Sequence, residues 1–265
     1  MDESPAADLH LHTTASDGTL TVAELPAAAR RGGVDWIAVT DHDRVHDDLA
    51  GAVTTHDGIT IIRGIELRVE TDHQRLDLLG YGVDPTDELI AELDRLQADR
   101  IERARRIIDR VERETGVDLA LTPQPGVGRP HIARALAESN APYSYQDAFE
   151  ELIGNDGPCY VARKITTVDR GIDLLRESCR LVGLAHPLRY DDPERALEVT
   201  AELDAVERYY PYGRPISDAE RDRVDNAIEQ YDLLATGGSD AHEKELGRAG
   251  PPASAFARFR WRFAR

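Results

Sequence analysis

Lysine is almost missing from this 265-residue chain: Lys164 and Lys244 are its only lysines, and the remaining basic side chains are all arginine. Lysine and arginine together number 32 against 50 acidic residues, a formal net charge of −18, and the sequence pI is near 4.9. A surface of that sign repels polyanions and excludes a protein that coats nucleic acid through an extended basic face. Cysteine is equally scarce. Cys159 and Cys179 stand far apart and outside any metal-ligand spacing, which excludes a thiolate metal site or a disulfide framework and predicts buried free thiols. No apolar run reaches bilayer length, and Met1-Asp2-Glu3-Ser4-Pro5 has neither the basic nor the apolar region of a signal peptide; a cytoplasmic chain with no membrane partner is expected. An acidic, lysine-poor composition suits concentrated salt, a halophilic setting in which repulsion is screened within a few Å. A phosphorylated substrate stays compatible with this charge if the site supplies its own local positive charge.

What the chain has is histidine and acid at the ends of apolar runs. In Asp8-Leu9-His10-Leu11-His12, strand alternation sends both imidazoles to one face and both leucines to the other. Alone, such a pair also fits two half-buried histidines that satisfy backbone groups; the rest of the chain decides. Asp17 follows in a Ser-Asp-Gly turn. Thr21 and Glu24 form a capping box opening a helix to about Arg31, which Gly32-Gly33 stops. Residues 34–40 read as a buried strand delivering Asp41-His42-Asp43, residues 59–67 as a strand carrying Glu66, and residues 76–81 as a fourth strand.

Residues 84–162 interrupt the alternation: a helical period over 86–114, a Pro- and Gly-rich stretch at 122–130, a helical piece containing His131-Ile132-Ala133-Arg134, and a short helix at 145–153. They predict a helical cap subdomain inserted between barrel segments 1–83 and 163–265. Beyond it come a helix at 169–178, a strand at 181–185 ending in His186-Pro187, a strand at 203–209, a helix at 218–230 and a last strand at 233–236 ending in Gly-Gly-Ser-Asp240-Ala-His242. Seven strands mostly followed by helices predict an α/β fold, a closed or nearly closed parallel barrel with its site at the C-terminal strand ends. The aromatic, arginine-rich tail 256–265 packs on the barrel or contacts another subunit.

Collected at those strand ends are His10, His12, Asp17, Asp41-His42, Glu66, His186, Asp240 and His242. Imidazole and carboxylate without thiolate suit Zn²⁺, Mn²⁺ or Fe²⁺, and the set exceeds what one ion uses, so two or three divalent ions are implied, with Glu66 as the bridge. Asp41 and Asp43 are expected to orient an imidazole through its second nitrogen. His46, His56 and His73 read as solvent-exposed, Tyr190 as a packing tyrosine, and the arginines between 95 and 113 as a solvated helix face with i,i+4 ion pairs.

Asp-Leu-His-Leu-His with Ser-Asp-Gly, Val-Thr-Asp-His-Asp, Gly-Ile-Glu, Ala-His-Pro and Gly-Ser-Asp-Ala-His resemble, in order, the motifs of the polymerase and histidinol phosphatase (PHP) phosphoesterases. Arg129-Pro-His-Ile-Ala133 is similar to the branch that includes nucleoside 3′,5′-bisphosphate phosphatases and enzymes trimming RNA or oligonucleotides from the 5′ end. The resemblance implies a distorted (β/α)7 TIM-like barrel and a trinuclear site. One ion would use His10, His12, Glu66 and Asp240; a second would share Glu66 and take His186; a third would use Asp17, His42 and His242. Where the family often places a further histidine this chain has Asp77, so Asp77 itself, His131 or a water completes the second ion. Clustered ions would acidify a water to hydroxide for in-line attack on the ester. Catalytic roles then fall to Asp17, His131 and Asp240, and substrate contacts to Arg129, His131, Arg134 and Arg189. The expected substrate is a phosphate ester of a nucleotide or of a short oligonucleotide end. The alternatives are a histidinol-phosphate-type small-molecule phosphatase and a non-catalytic metal-binding PHP module. An amidohydrolase-like reading lacks a lysine at a strand end to bridge metals.

Overall fold

The apolar runs that end in histidine or acid become the strands of one curled sheet. The structure, a computed structural model, describes residues 4–265. The chain divides into two compact units: one runs to Ile90 and resumes at Ile165, and the other is Ala91–Lys164.

In the first unit the strands β1 (Asp8–Leu11), β2 (Trp36–Val39), β4 (Ile59–Glu70), β5 (Arg75–Tyr81), β7 (Leu181–Leu184), β8 (Ala205–Tyr209) and β9 (Leu234–Gly237) lie in that order across the sheet. They are the seven runs read from the sequence. Two short strands, β3 (Val53–His56) and β6 (Thr166–Thr167), pair with β4 off this path. β3 escapes sequence reading because it is short, polar and half-exposed; it forms a hairpin with β4 through Asp57 and Gly58, both at positive φ. The ring closes where Leu11 bridges Ala241, with the His12 amide donating to the Ala241 carbonyl at 2.9 Å.

The sheet is mixed rather than parallel throughout. β5 runs antiparallel to both β4 and β7, because Thr71-Asp72-His73-Gln74 joins β4 to β5 as a tight hairpin, far too short for the crossover that parallel pairing needs. The barrel is distorted at this point and remains of the TIM-like α/β class.

Helices α1 (Leu25–Gly32), α5 (Val168–Ser178), α6 (Pro193–Glu198), α7 (Asp218–Tyr231) and α8 (Ala253–Phe263) belong to the same unit. The tail resolves as α8, whose Phe256, Phe259 and Phe263 are buried with Leu9, Ile62, Leu79, Tyr81 and Leu234. The other unit packs α2 (Asp87–Thr115) from Ala91 onward, α3 (Arg129–Glu138) and α4 (Tyr145–Asp147) with a wound turn at 148–153, around Ile107, Val111, Ile132, Leu136 and Leu152. On α2, Arg95 pairs with Glu92 and Arg105 with Glu102, each at i,i+3, and Arg103 and Arg110 turn to the carbonyls of Val161 and Tyr160. Part of the expected solvated arginine face thus staples the 160–161 segment. Both thiols are free, Cys159 buried and Cys179 half-buried, with burial pushing the Cys179 thiol up to about 12. No helix among the described residues is long and apolar enough to cross a membrane.

Candidate metal centre

β1 carries His10 and His12 into the barrel mouth, and the turn after it brings Asp17; His42 leaves β2, Glu66 lies within β4, His186 leaves β7, and Asp240 and His242 leave β9. These residues converge. Glu66 is the hub: Oε1 lies 3.1 Å from His186 Nε2 and 3.5 Å from His10 Nε2, and Oε2 lies 2.7 Å from His42 Nδ1 and 3.3 Å from His12 Nε2. Asp240 Oδ1 sits 3.1 Å from His12 Nε2 and 3.5 Å from His10 Nε2. Asp17 Oδ1 sits 3.3 Å from His242 Nε2 and 3.8 Å from His42 Nε2. Three groups of donor atoms each fall within a 4.8 Å span: His12, Asp17, His42 and His242; His10, His12 and Asp240; and Glu66, Asp77 and His186.

Two features test whether divalent cations fit. His10 Nε2 and His12 Nε2 lie 3.3 Å apart in a fully buried place, ring nitrogens and acids converging on common points. Glu66 Oε2 and Asp17 Oδ1, carboxylate oxygens aimed at the imidazoles, are also buried without a satisfying hydrogen bond, which interiors rarely tolerate. The donor set of imidazole and carboxylate suits Zn²⁺, Mn²⁺ or Fe²⁺. The residues fit.

The electrostatics are those of packed opposite charges. Burial would raise the Glu66 carboxyl, yet His42 and His10 hold it well below the usual range, and burial of Asp240 is likewise overridden by His10 and His12. Burial opposes a charged His242, but Asp17 outweighs it and lifts the imidazole to about 9. For His12, burial and then its neighbour His42 depress the imidazole. The backbone is strained at the same place: His186 has φ 28° and Asp240 φ 50°, conformations that cost non-glycine residues energy and cluster at functional sites.

Supporting side chains differ in part from expectation. Asp41 does not turn to an imidazole. Its carboxylate accepts from the Thr13 amide at 2.8 Å, the Thr13 hydroxyl at 2.7 Å and the Ser16 hydroxyl at 2.6 Å, fixing the turn that presents Asp17. Asp43 accepts the Arg68 amide at 2.9 Å. Glu207, which sequence reading passed over, lies 3.1 Å from His10 Nδ1. Asp8, also passed over, accepts the Ser239 amide and hydroxyl at 2.8 and 2.6 Å and so anchors the loop leading to Asp240 and His242. The signal for both was a buried-strand position occupied by an acid, Asp8 at the start of β1 and Glu207 in the middle of β8. Asp77 receives both arms of Arg68 at 2.6 Å and stands 3.6 Å from His186 Nε2.

Asp240 is two-sided, its Oδ2 taking the Tyr210 hydroxyl at 2.7 Å and the Arg189 guanidinium at 3.2 Å. Tyr190 packs as expected, its hydroxyl held between the Asp77 amide and the Ala185 carbonyl. His56 and His73 are exposed, whereas His46 is 8% exposed, its Nδ1 accepting the Asp48 amide; a loop histidine folds inward once its ring satisfies a backbone N–H. Within the Ala91–Lys164 unit, His131 Nδ1 accepts the Gly128 amide at 3.1 Å, Arg129 reaches the Ile153 carbonyl and Asn155, and Arg134 is exposed on α3.

Against known families, the model described as PHP domain matches residues 8–155, more than half of the chain. The chain belongs to the PHP domain family. This PHP protein is 31% identical over 260 residues to the 5′-3′ exoribonuclease Rnm of Escherichia coli, covering 91% of this chain and 88% of that one. It is 29% identical over 194 residues to a 3′,5′-nucleoside bisphosphate phosphatase of Chromobacterium violaceum, covering 69% of each. A Bifidobacterium adolescentis structure assigned provisionally as a metal-dependent phosphoesterase superposes with a TM-score of 0.80 at 25% identity, covering 98% of both chains. The PHP chain is a phosphoesterase, a hydrolase of phosphoester bonds, whose His, Asp and Glu clusters are able to bind metals.

Proposed function

We propose that this phosphoesterase removes a phosphate ester from a nucleotide or a short oligonucleotide end, with two or three divalent cations, Mn²⁺, Zn²⁺ or Fe²⁺, in the barrel mouth. The observation that carries the reading is Glu66, a single buried carboxylate within 3.5 Å of four imidazoles belonging to different donor groups. His10, His12, Glu66 and Asp240 would hold one ion. Glu66 and His186 would hold a second, with Asp77 beside them in the grip of Arg68, and Asp17, His42 and His242 a third. When bound, such ions supply a water nucleophile near neutral pH and neutralise phosphate charge.

The chain's own groups do the rest. Arg189 is 53% exposed and anchored to Asp240, and its remaining N–H groups grip phosphate oxygens. One carboxylate, Asp17 or Asp240, accepts the proton of the attacking water, and His131 returns one to the leaving oxygen, a step worth about 10²–10⁴ in rate. Arg129, Arg134 and His131 contact the substrate. Cations crowd within the Ala91–Lys164 unit, where burial, then Arg129, Arg163 and Arg100, push the Arg103 guanidinium down to about 10. In a chain of net charge −18 such crowding favours a compact polyanionic ligand over a long duplex. Nucleotide substrates and two free thiols fit the cytoplasm, and the acidic surface fits high salt.

The test is metal analysis of the purified protein with phosphate release from nucleoside 3′,5′-bisphosphate, a 5′-phosphorylated oligonucleotide and histidinol phosphate, in high salt. Release from the nucleotide substrates, abolished by EDTA and restored by Mn²⁺ or Zn²⁺, is expected. Preference for histidinol phosphate would make it a small-molecule phosphatase, and no release by metal-loaded protein would make it a binding module.

A further inference from the structure

Glu207 sits in β8, after Val206 and before Arg208, with 0% of its surface exposed. A carboxylate that deep is tolerated only where donors satisfy it. Its partners are both at the metal centre and come from different strands. His10 Nδ1 lies 3.1 Å from Oε1 and 3.3 Å from Oε2, and the His186 backbone N–H donates to Oε2 at 2.8 Å. We infer that Glu207 is a positioning residue that sets the ring of His10 and the backbone of His186 together, and so governs two of the proposed ions while leaving the third alone.

A carboxylate at this position only accepts, so the hydrogen of a neutral His10 resides on Nδ1 and the lone pair on Nε2. Nε2 is the atom that faces His12 Nε2 at 3.3 Å and Glu66 and Asp240 at 3.5 Å each. At the other oxygen, the amide of His186 is tied down where its backbone is strained, φ 28°, and its ring then meets Glu66 at 3.1 Å. The group of Asp17, His42 and His242 is oriented by other means: His242 Nδ1 faces the Asp240 carbonyl at 2.9 Å, and Asp41 holds the turn before Asp17. A glutamine at 207 offers one acceptor to two donors and must leave one of them opposed by its own N–H₂.

The inference rests on the proposed ion sites, and its test separates the two. In the full-length metal-free protein, at a pH high enough for His10 to be neutral, ¹⁵N NMR of the histidine side chains should show His10 as the Nδ1–H tautomer in wild type and lose that state in Glu207→Gln. Mn²⁺ titration should then show the ions that use His10 and His186 weakened by about 10- to 100-fold, with the ion of Asp17, His42 and His242 retained. Glu207→Asp, which keeps two acceptors on a shorter arm, should preserve the tautomer and give an intermediate loss, and it serves if the glutamine variant does not fold. An unchanged tautomer, or equal weakening of every ion as a general packing defect would give, overturns the role of Glu207. If wild type binds no ion, the proposed function falls while the tautomer still judges Glu207.

Discussion

At the scale of single residues, the centre is built from side chains whose meaning depends on what stands opposite them. His12 faces Asp240 and Glu66 at 3.1 and 3.3 Å and belongs to two of the donor groups, so it is the imidazole whose loss should disturb the most. His12→Ala is expected to lower phosphate release by more than about 10²-fold, several kcal/mol of transition-state stabilisation, with fewer ions bound per chain by elemental analysis. Retention of full metal content and activity would remove His12 from the centre. The strand-end histidines and acids were legible because alternation and terminal position are properties of local sequence. Asp8 and Glu207 were not, because an acid in a strand declares its value only when its donors, Ser239 and His10, arrive from distant parts of the chain. Asp41 was misread for the same reason: adjacency to His42 suggested an imidazole partner, and chain geometry gave it Thr13 and Ser16.

At the scale of elements, close backbone approach sets the geometry of the mouth. A Cβ on Gly238 would stand 2.3 Å from the His10 amide nitrogen and 2.5 Å from its Cβ, so the exit of β9 passes β1 only as glycine. Through that contact the Asp240 amide reaches the His10 carbonyl at 2.8 Å. Gly238→Ala should cost about 1–3 kcal/mol, as overpacking does, and should also lower metal affinity because His10 is pushed inward. Chemical denaturation and Mn²⁺ titration measure the two effects, and a variant equal to wild type in both would show that the β1 and β9 exits are not in register. The helices and the seven path strands could be read from period and caps. The reversal of β5 could not be read from its own residues, because Leu-Asp-Leu-Leu-Gly-Tyr pairs equally well in either sense and only the short link before it decides.

At the scale of the whole molecule, the net charge of −18 sets the conditions under which the fold persists. Raising KCl from 0.1 M to 1 M shortens the screening length from about 10 Å to about 3 Å and relieves self-repulsion of the compact state. The melting temperature is expected to rise by at least about 4 °C, on the order of 1–2 kcal/mol for a chain of this size; calorimetry showing a flat or falling value would mean that the acidic surface is not strained at low salt. Composition alone determined that surface charge, the absence of thiolate chemistry and the type of ligand available, because these are sums over residues that folding does not alter. Local pattern determined most elements and which residues end them. Only the tertiary structure decided that Glu66 would stand among four imidazoles and that Glu207 would hold His10, since hydrogen bonds and ion pairs act over about 3 Å and no spacing along the chain specifies which distant strands close to that distance.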